Sequence, residues 1–204
     1  MLKIDFHLHT KHSSDSFISF FSLKKKCGKL GITPIITDHN TIKGNKQFGC
    51  KIVAEEISTS AGDIIGLFIS EKIKPYLSPE ETVDKIKEQD GLVYLPHAFD
   101  RIRSRRLMNH KLKVNIVEVF NPRTIFDKDN FKADFFANYN HLYKAVGSDS
   151  HFLYEFGNTY TIMEDFDSKK EFLKNLKNAK LVKKYRTPLV HPMTIMVKLI
   201  KKVI

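Results

Sequence analysis

Short apolar runs alternate along the chain with stretches of helical periodicity, and polar residues gather where the runs end. Leu2 to Phe6, Thr33 to Thr37, Lys51 to Ile57 and Ile64 to Ile69 read as strands. So do Leu92 to Leu95, Asn115 to Phe120, Tyr143 to Val146 and Thr159 to Met163. Between them, a basic amphipathic helix is predicted over Phe21 to Leu30, stopping at Gly31. Ser78-Pro79-Glu80-Glu81 opens a second helix, with a Ser cap, Pro at the first helical position and Glu three residues after the cap. Asp129 to Tyr139 predicts a third helix, and Ser168 with Glu171 repeats the capping pattern before a fourth that ends near Asn178. A short basic helix is expected from Pro192 onward.

Strands interleaved with helices argue for an α/β protein with parallel strands. A full eightfold βα barrel takes about 250 residues, and 204 are few for it. A truncated or distorted TIM-like barrel therefore fits better than an open doubly wound sheet. No repeat, low-complexity stretch or linker divides the chain, so a single domain over residues 1–204 is expected.

Composition narrows the classes. Hydrophobic content of 42% and charged content of 28% exclude disorder, collagen and coiled coil as dominant features. The longest candidate span, Leu189 to Ile204, is interrupted by Pro192, Lys198, Lys201 and Lys202, so no membrane role is expected. The N-terminus has no apolar signal region, and Cys27 and Cys50 are too few for a disulfide framework; the expected compartment is a reducing cytoplasm. The net charge of +11 comes mostly from scattered Lys. Four Arg, at 101, 103, 105 and 106, are clustered instead.

The chemistry sits at predicted strand ends. Asp5, His7 and His9 alternate with Phe6 and Leu8, which puts two imidazoles and a carboxylate on one strand face. Such a face can chelate a metal or orient its ligands. Asp38-His39, Glu55-Glu56, His97 and Asp149-Ser150-His151 follow or end other strands. Glu118 falls inside the apolar run Asn115 to Val119, where a buried carboxylate needs a partner. Active sites of parallel barrels form at the C-terminal strand ends. This mixture of imidazole and carboxylate suits Mn, Fe or Zn better than Mg or Ca alone. His12, His110, His141 and His191 lie in no such motif and read as surface or structural residues. Phe20-Phe21 and Phe135-Phe136 read as core, and the C-terminal helix is expected to pack its apolar side on the body of the protein.

The ordered set Asp-x-His-x-His-Thr from Asp5, Ser14-Asp15-Ser16, Thr37-Asp38-His39-Asn40, Glu56, Pro96-His97, Ile116-Val117-Glu118-Val119 and Gly147-Ser148-Asp149-Ser150-His151 resembles the PHP (polymerase and histidinol phosphatase) superfamily. The resemblance implies a distorted (βα)7 TIM-like barrel, a cluster of two or three divalent ions and phosphoester hydrolysis. It implies that His7, His9, Glu56 and Asp149 hold one ion, that Glu56 bridges to a second held by His97, and that Asp15, His39 and His151 hold a third. Glu56 rather than Glu55 aligns with the family's Gly-x-Glu-Ile segment, leaving Glu55 as a solvated neighbour. Asp63 departs from the family pattern by standing where many relatives have His. It either ligates the second ion or leaves that site weak.

On this reading the enzyme is a hydrolase in which a metal-activated hydroxide attacks a phosphate ester. His39 or His97 would aid proton transfer. Asp5 and Glu118 would orient ligands or line the pocket. Arg101 or Arg103 would grip a substrate phosphate, since Arg binds phosphate bidentately, with Arg105 and Arg106 on a solvated face. Substrates would be a nucleotide, another small phosphomonoester or a nucleic-acid phosphodiester, with no stable protein partner. The alternative is a non-catalytic, basic, metal-containing module that binds nucleic acid or a phosphorylated partner.

Overall fold

The computed structural model describes residues 1–101, 103, 107–184 and 190–203. The chain runs β1 (Leu2–Leu8), α1 (Phe20–Leu30), β2 (Ile32–Ile36), α2 (Lys43–Phe48), β3 (Ala54–Ser58), β4 (Asp63–Leu67), α3 (Pro79–Glu88) and β5 (Leu92–Leu95). It continues with β6 (Ile116–Phe120), α4 (Asp127–Tyr139), β7 (Tyr143–Val146), β8 (Tyr160–Met163), α5 (Lys169–Leu176), β9 (Lys180–Val182) and α6 (Val190–Ile200). Local chemistry sets several ends. Gly31 takes the left-handed conformation, φ 63°, that closes α1. Ser78 and Glu81 form a reciprocal capping box at the start of α3.

The expected sevenfold βα barrel is not what the chain forms. The strands make two mixed sheets, of order β2-β1-β8-β9 and β3-β4-β5-β6-β7, with no closed barrel among the described residues. The cause lies in the connections. Residues 59–62 return the chain from β3 straight into β4 with no intervening helix, so β4 lies antiparallel to both β3 and β5. In the other sheet β8 runs antiparallel to β1 and to β9, while β1 and β2 are parallel. Isolated bridges, Leu8 to Ser150 and His39 to Glu56, link residues across the two sheets' edges.

One buried cluster fuses the sheets. Ile4 and Phe6 of β1 meet Ile65 and Leu67 of β4, Tyr94 of β5, Ile116 of β6 and Phe172 of α5. Phe6 and Tyr94 pack edge to face with ring centres 6.0 Å apart. This apolar centre anchors the strands whose far ends carry the polar residues. The antiparallel course of β4 brings its first residue, Asp63, beside the last residue of β3. Thus Asp63 joins the end of the molecule that the other strands reach with their C-termini.

Candidate metal centre

Nine side chains that the sequence singles out converge on this end. His7 and His9 are fully buried at the end of β1. Their Nε2 atoms face one another at 3.1 Å. Glu56 reaches in from β3, with Oε2 at 3.3 Å from His7 Nε2, 3.2 Å from His9 Nε2 and 3.3 Å from His39 Nδ1. Its other oxygen lies 3.1 Å from His97 Nε2. Asp149 Oδ1 stands 3.6 Å from His7 Nε2, 3.4 Å from His9 Nε2 and 3.5 Å from His151 Nδ1. Asp15 Oδ2 lies 3.3 Å from the Nε2 atoms of both His39 and His151.

Three overlapping groups result: His9, Asp15, His39 and His151; His7, His9 and Asp149; and His7, Glu56 and His97. Each group offers ligand atoms within 4.8 Å of one another. Asp63 lines the same cavity as Glu56 and His97 but belongs to none of these groups. The donor set fits divalent ions. Imidazole nitrogens and carboxylate oxygens converge, and two facing ring nitrogens need a proton or a metal ion between their lone pairs. The cavity over the groups measures about 450 Å³.

The electrostatics agree. Burial favours neutral groups, yet His39 and His7 hold the Glu56 carboxyl well below the usual carboxylate range. Burial likewise opposes a charge on His39, but the Glu56 and Asp15 carboxylates outweigh it and lift the ring to about 10. His151 goes the other way, to about 4, through burial and the neighbouring His9. Protons thus occupy part of a site whose donors suit a metal, and metal binding should displace them.

Surrounding residues fix the donors. Glu118, buried in β6, accepts from His7 Nδ1 at 3.1 Å and from the Tyr94 hydroxyl at 3.1 Å through one oxygen. Its other oxygen accepts from the His97 backbone N–H and from Asn121 Nδ2, each at 2.8 Å. A carboxylate on Nδ1 leaves Nε2 of His7 free toward the cluster. Glu118→Gln is therefore expected to weaken Mn binding by about 10- to 100-fold with the fold retained, read by metal titration alongside circular dichroism. Asp5, expected to orient ligands or line the pocket, bonds backbone rather than a ring nitrogen. Its Oδ1 accepts backbone N–H groups of His7, at 3.2 Å, and Ser148, at 2.8 Å, tying β1 to the loop after β7. Burial raises its carboxyl to about 7.

Backbone geometry contributes as well. His97 (φ 30°), Asp149 (φ 50°) and Asn40 (φ 55°) all have positive φ, a strained region for residues with a Cβ. Such strain re-aims side chains at strand ends toward one point.

The arginines separate. Arg103 lines the cavity, pairs with Asp149 and donates from Nε to Asp100 at 3.0 Å. Its Nη2 is buried with no partner among the described residues. Arg101 is not brought to the cavity: its guanidinium bonds Asp129 Oδ1 at 3.2 and 3.3 Å and lies over Phe126. Arg105 and Arg106 lie outside the described residues.

Several site residues escape a reading by motif. Arg123 donates to both oxygens of Glu155, at 3.0 and 3.1 Å. Glu155 in turn accepts from the backbone of His151 at 2.8 Å and of Phe152 at 2.9 Å. Arg123 also holds α6 through Thr194 Oγ1 at 2.5 Å. His191 of α6, expected to be structural or on the surface, lines the cavity and donates from Nε2 to the Arg123 carbonyl at 2.6 Å. Glu55 is not solvated. It is fully buried and accepts from the Ile73 N–H at 3.0 Å. Burial pushes it up to about 7. Phe21 and Phe135, expected in the core, are 81% and 71% exposed.

Comparison with known proteins bears on the family and the fold. The family model described as PHP-associated covers residues 127–181. The uncharacterized protein MJ0417 of Methanocaldococcus jannaschii is 37% identical over 86% of this chain and 79% of its own. The uncharacterized protein MJ1587 of the same organism is 42% identical over 59% of this chain and 82% of its own. Among solved structures, the chain resembles a two-domain Bacteroides vulgatus protein containing a predicted PHP-like metal-dependent phosphoesterase. The TM-score is 0.66 at 16% identity, covering 94% of this chain and 68% of that one. Endonuclease Q from Pyrococcus furiosus shares the fold with a TM-score of 0.64 at 15% identity, over 88% of this chain and 57% of that one. The chain thus belongs to one family with MJ0417, matches the PHP-associated family over residues 127–181, and shares the fold of a PHP-like structure, with the ordered histidines and carboxylates gathered at one end.

Proposed function

We propose that the chain is a metal-dependent phosphoesterase, with residues 1–204 forming one catalytic domain. The observation that carries the reading is the approach of His7 Nε2 and His9 Nε2 to 3.1 Å under the Glu56 and Asp149 carboxylates. His7, His9, Glu56, His97, Asp149, Asp15, His39 and His151 would hold two or three ions of Mn, Fe or Zn, with Asp63 a further oxygen donor at the Glu56–His97 end. When bound, such ions supply Lewis acidity toward a phosphoryl oxygen and lower the pKa of water.

The chain's own residues do the rest. The unpartnered Nη2 of Arg103 offers a donor to a phosphoryl oxygen in the cavity. Asp100 and Asp149 hold that guanidinium in place. His39 and His97 line the cavity, and either one would aid proton transfer to a leaving oxygen when it is not holding an ion. Glu118 and the Arg123–Glu155 pair keep His7 and His151 aimed inward. Substrates are phosphate esters of a nucleotide, of another small molecule or of nucleic acid. The fold shared with endonuclease Q, which is solved with a duplex carrying an abasic lesion, supports including nucleic acid.

The test is hydrolysis of p-nitrophenyl phosphate and bis(p-nitrophenyl) phosphate by the protein supplied with Mn, with Asp149→Ala as control. Activity on at least one ester, lost in the variant, is expected, and the ratio of rates separates phosphatase from diesterase. Inactivity on both with Mn, Fe and Zn would instead favour a binding module that has lost turnover.

A further inference from the structure

Beside the donor cluster lies a second groove of about 390 Å³ with the opposite chemistry. Lys11, Lys198, Lys201 and Lys202 line it together with Phe17. Ser14 and Lys198 line both hollows, so single side chains separate them. The groove forms where the segment after β1 meets the end of α6. Lys201 clamps the two: its Nζ donates to the carbonyls of Lys11, at 2.8 Å, and Ser13, at 2.6 Å, and lies 5.1 Å from the Phe17 ring.

Lys201 is thereby committed. Lys11 rests on the Phe20 ring at 5.2 Å. Lys11, Lys198 and Lys202 form no ion pair among the described residues. Asp15 and Asp38 act on Lys201 from nearby, but among the described residues no carboxylate lines the groove itself. Cations gathered without a carboxylate between them repel one another, and a bound anion relieves that repulsion. Phe17 leaves 49% of its surface in water at the same place. A flat apolar ring covered there would remove that surface from solvent, as bases do on aromatic side chains. An anion and a flat ring, adjoining a site that takes a phosphate ester, describe one kind of molecule.

We propose that this groove is a second subsite for the substrate of the donor cluster. The next phosphate of an oligonucleotide sits among Lys11, Lys198 and Lys202, with a base against Phe17. The substrate is then the phosphorylated end of a short nucleic-acid strand rather than an ester with one phosphate. This rests on the phosphoesterase reading for turnover, but the groove's binding of a dinucleotide does not need the metal ions.

Two arms test it on the full chain. In the first, KM is measured with Mn for 5′-phosphorylated thymidine dinucleotide and for p-nitrophenyl phosphate. Lys11→Ala/Lys202→Ala is expected to raise the ratio of the two KM values by about tenfold, each exposed charge contributing about threefold. Phe17→Ala is expected to raise it by about tenfold. A ratio within twofold of wild type in both variants overturns the proposal. In the second arm, calorimetry follows the dinucleotide binding to protein kept in EDTA. Salt-sensitive binding that both variants weaken supports the groove, and no binding to wild type overturns it. Inactivity on every ester would sink the phosphoesterase reading alone, and the calorimetric arm would still decide the groove.

Discussion

Replacing Glu56 with Gln is expected to lower phosphoester hydrolysis by about 10³-fold and to release bound metal on dialysis. Among the described residues, no other carboxylate faces four imidazoles. One oxygen faces His7, His9 and His39, and the other faces His97, all between 3.1 and 3.3 Å. The amide keeps the shape and removes the charge, so packing survives while the anion that faces four imidazoles is lost. It also turns one oxygen into an N–H donor aimed at ring nitrogens that need an acceptor or a cation. Metal content by mass spectrometry, together with kcat/KM, reads the result. Wild-type activity with full metal content in the variant would mean that Glu56 merely neutralises buried imidazoles.

Gly147→Ala is expected to cost about 3 kcal/mol of stability, which for a chain of this size lowers Tm by about 6 to 12 °C. A Cβ there would stand 2.3 Å from the Cβ of His7, 2.6 Å from Glu118 Oε1 and 2.9 Å from the His7 backbone nitrogen. None of these is the loose tip of a flexible chain: β1 itself would have to move. The shift would separate His7 from Glu118 and Asp149, so metal affinity should fall with stability. Thermal unfolding and metal titration check both halves. A variant that melts within 2 °C of wild type would show that β1 yields easily at this point.

Most donors were legible in the sequence because they lie in short motifs near strand ends, and a strand's alternation says which residues share its face; Asp15, in the loop after β1, was legible only through the family resemblance. His7 and His9 follow from that rule alone. Glu118 was legible because a carboxylate inside an apolar run must have a partner, although not which one. Strand direction was not legible. Apolar periodicity looks the same in β4 whether it runs parallel or antiparallel to its neighbours, and only the helix-free link over residues 59–62 distinguishes the cases. That link turned the expected barrel into two mixed sheets.

The supporting groups were hidden for another reason. Arg123, Glu155 and Thr194 meet across 32 and 71 positions of sequence, and nothing local to any of them announces the others. His191 has no carboxylate beside it in the chain, and reaches the cavity only because α6 packs there. Glu55 looked solvated because its neighbour is the site residue. In the fold, adjacent strand positions point to opposite faces, and Glu55 is buried away from the cluster against Ile73. Phe135 carries the same lesson in reverse, since an apolar residue type does not state which face of α4 meets the core.

The central claim is that the converging histidines and carboxylates hold a cluster of divalent ions. Anomalous diffraction from crystals grown with Mn tests it most directly. The account predicts two or three peaks enclosed by His7, His9, Asp15, His39, Glu56, His97, Asp149 and His151, and their loss in Glu56→Gln crystals. Ordered density for the same side chains with no peak among them, under Mn, Fe or Zn, would contradict it.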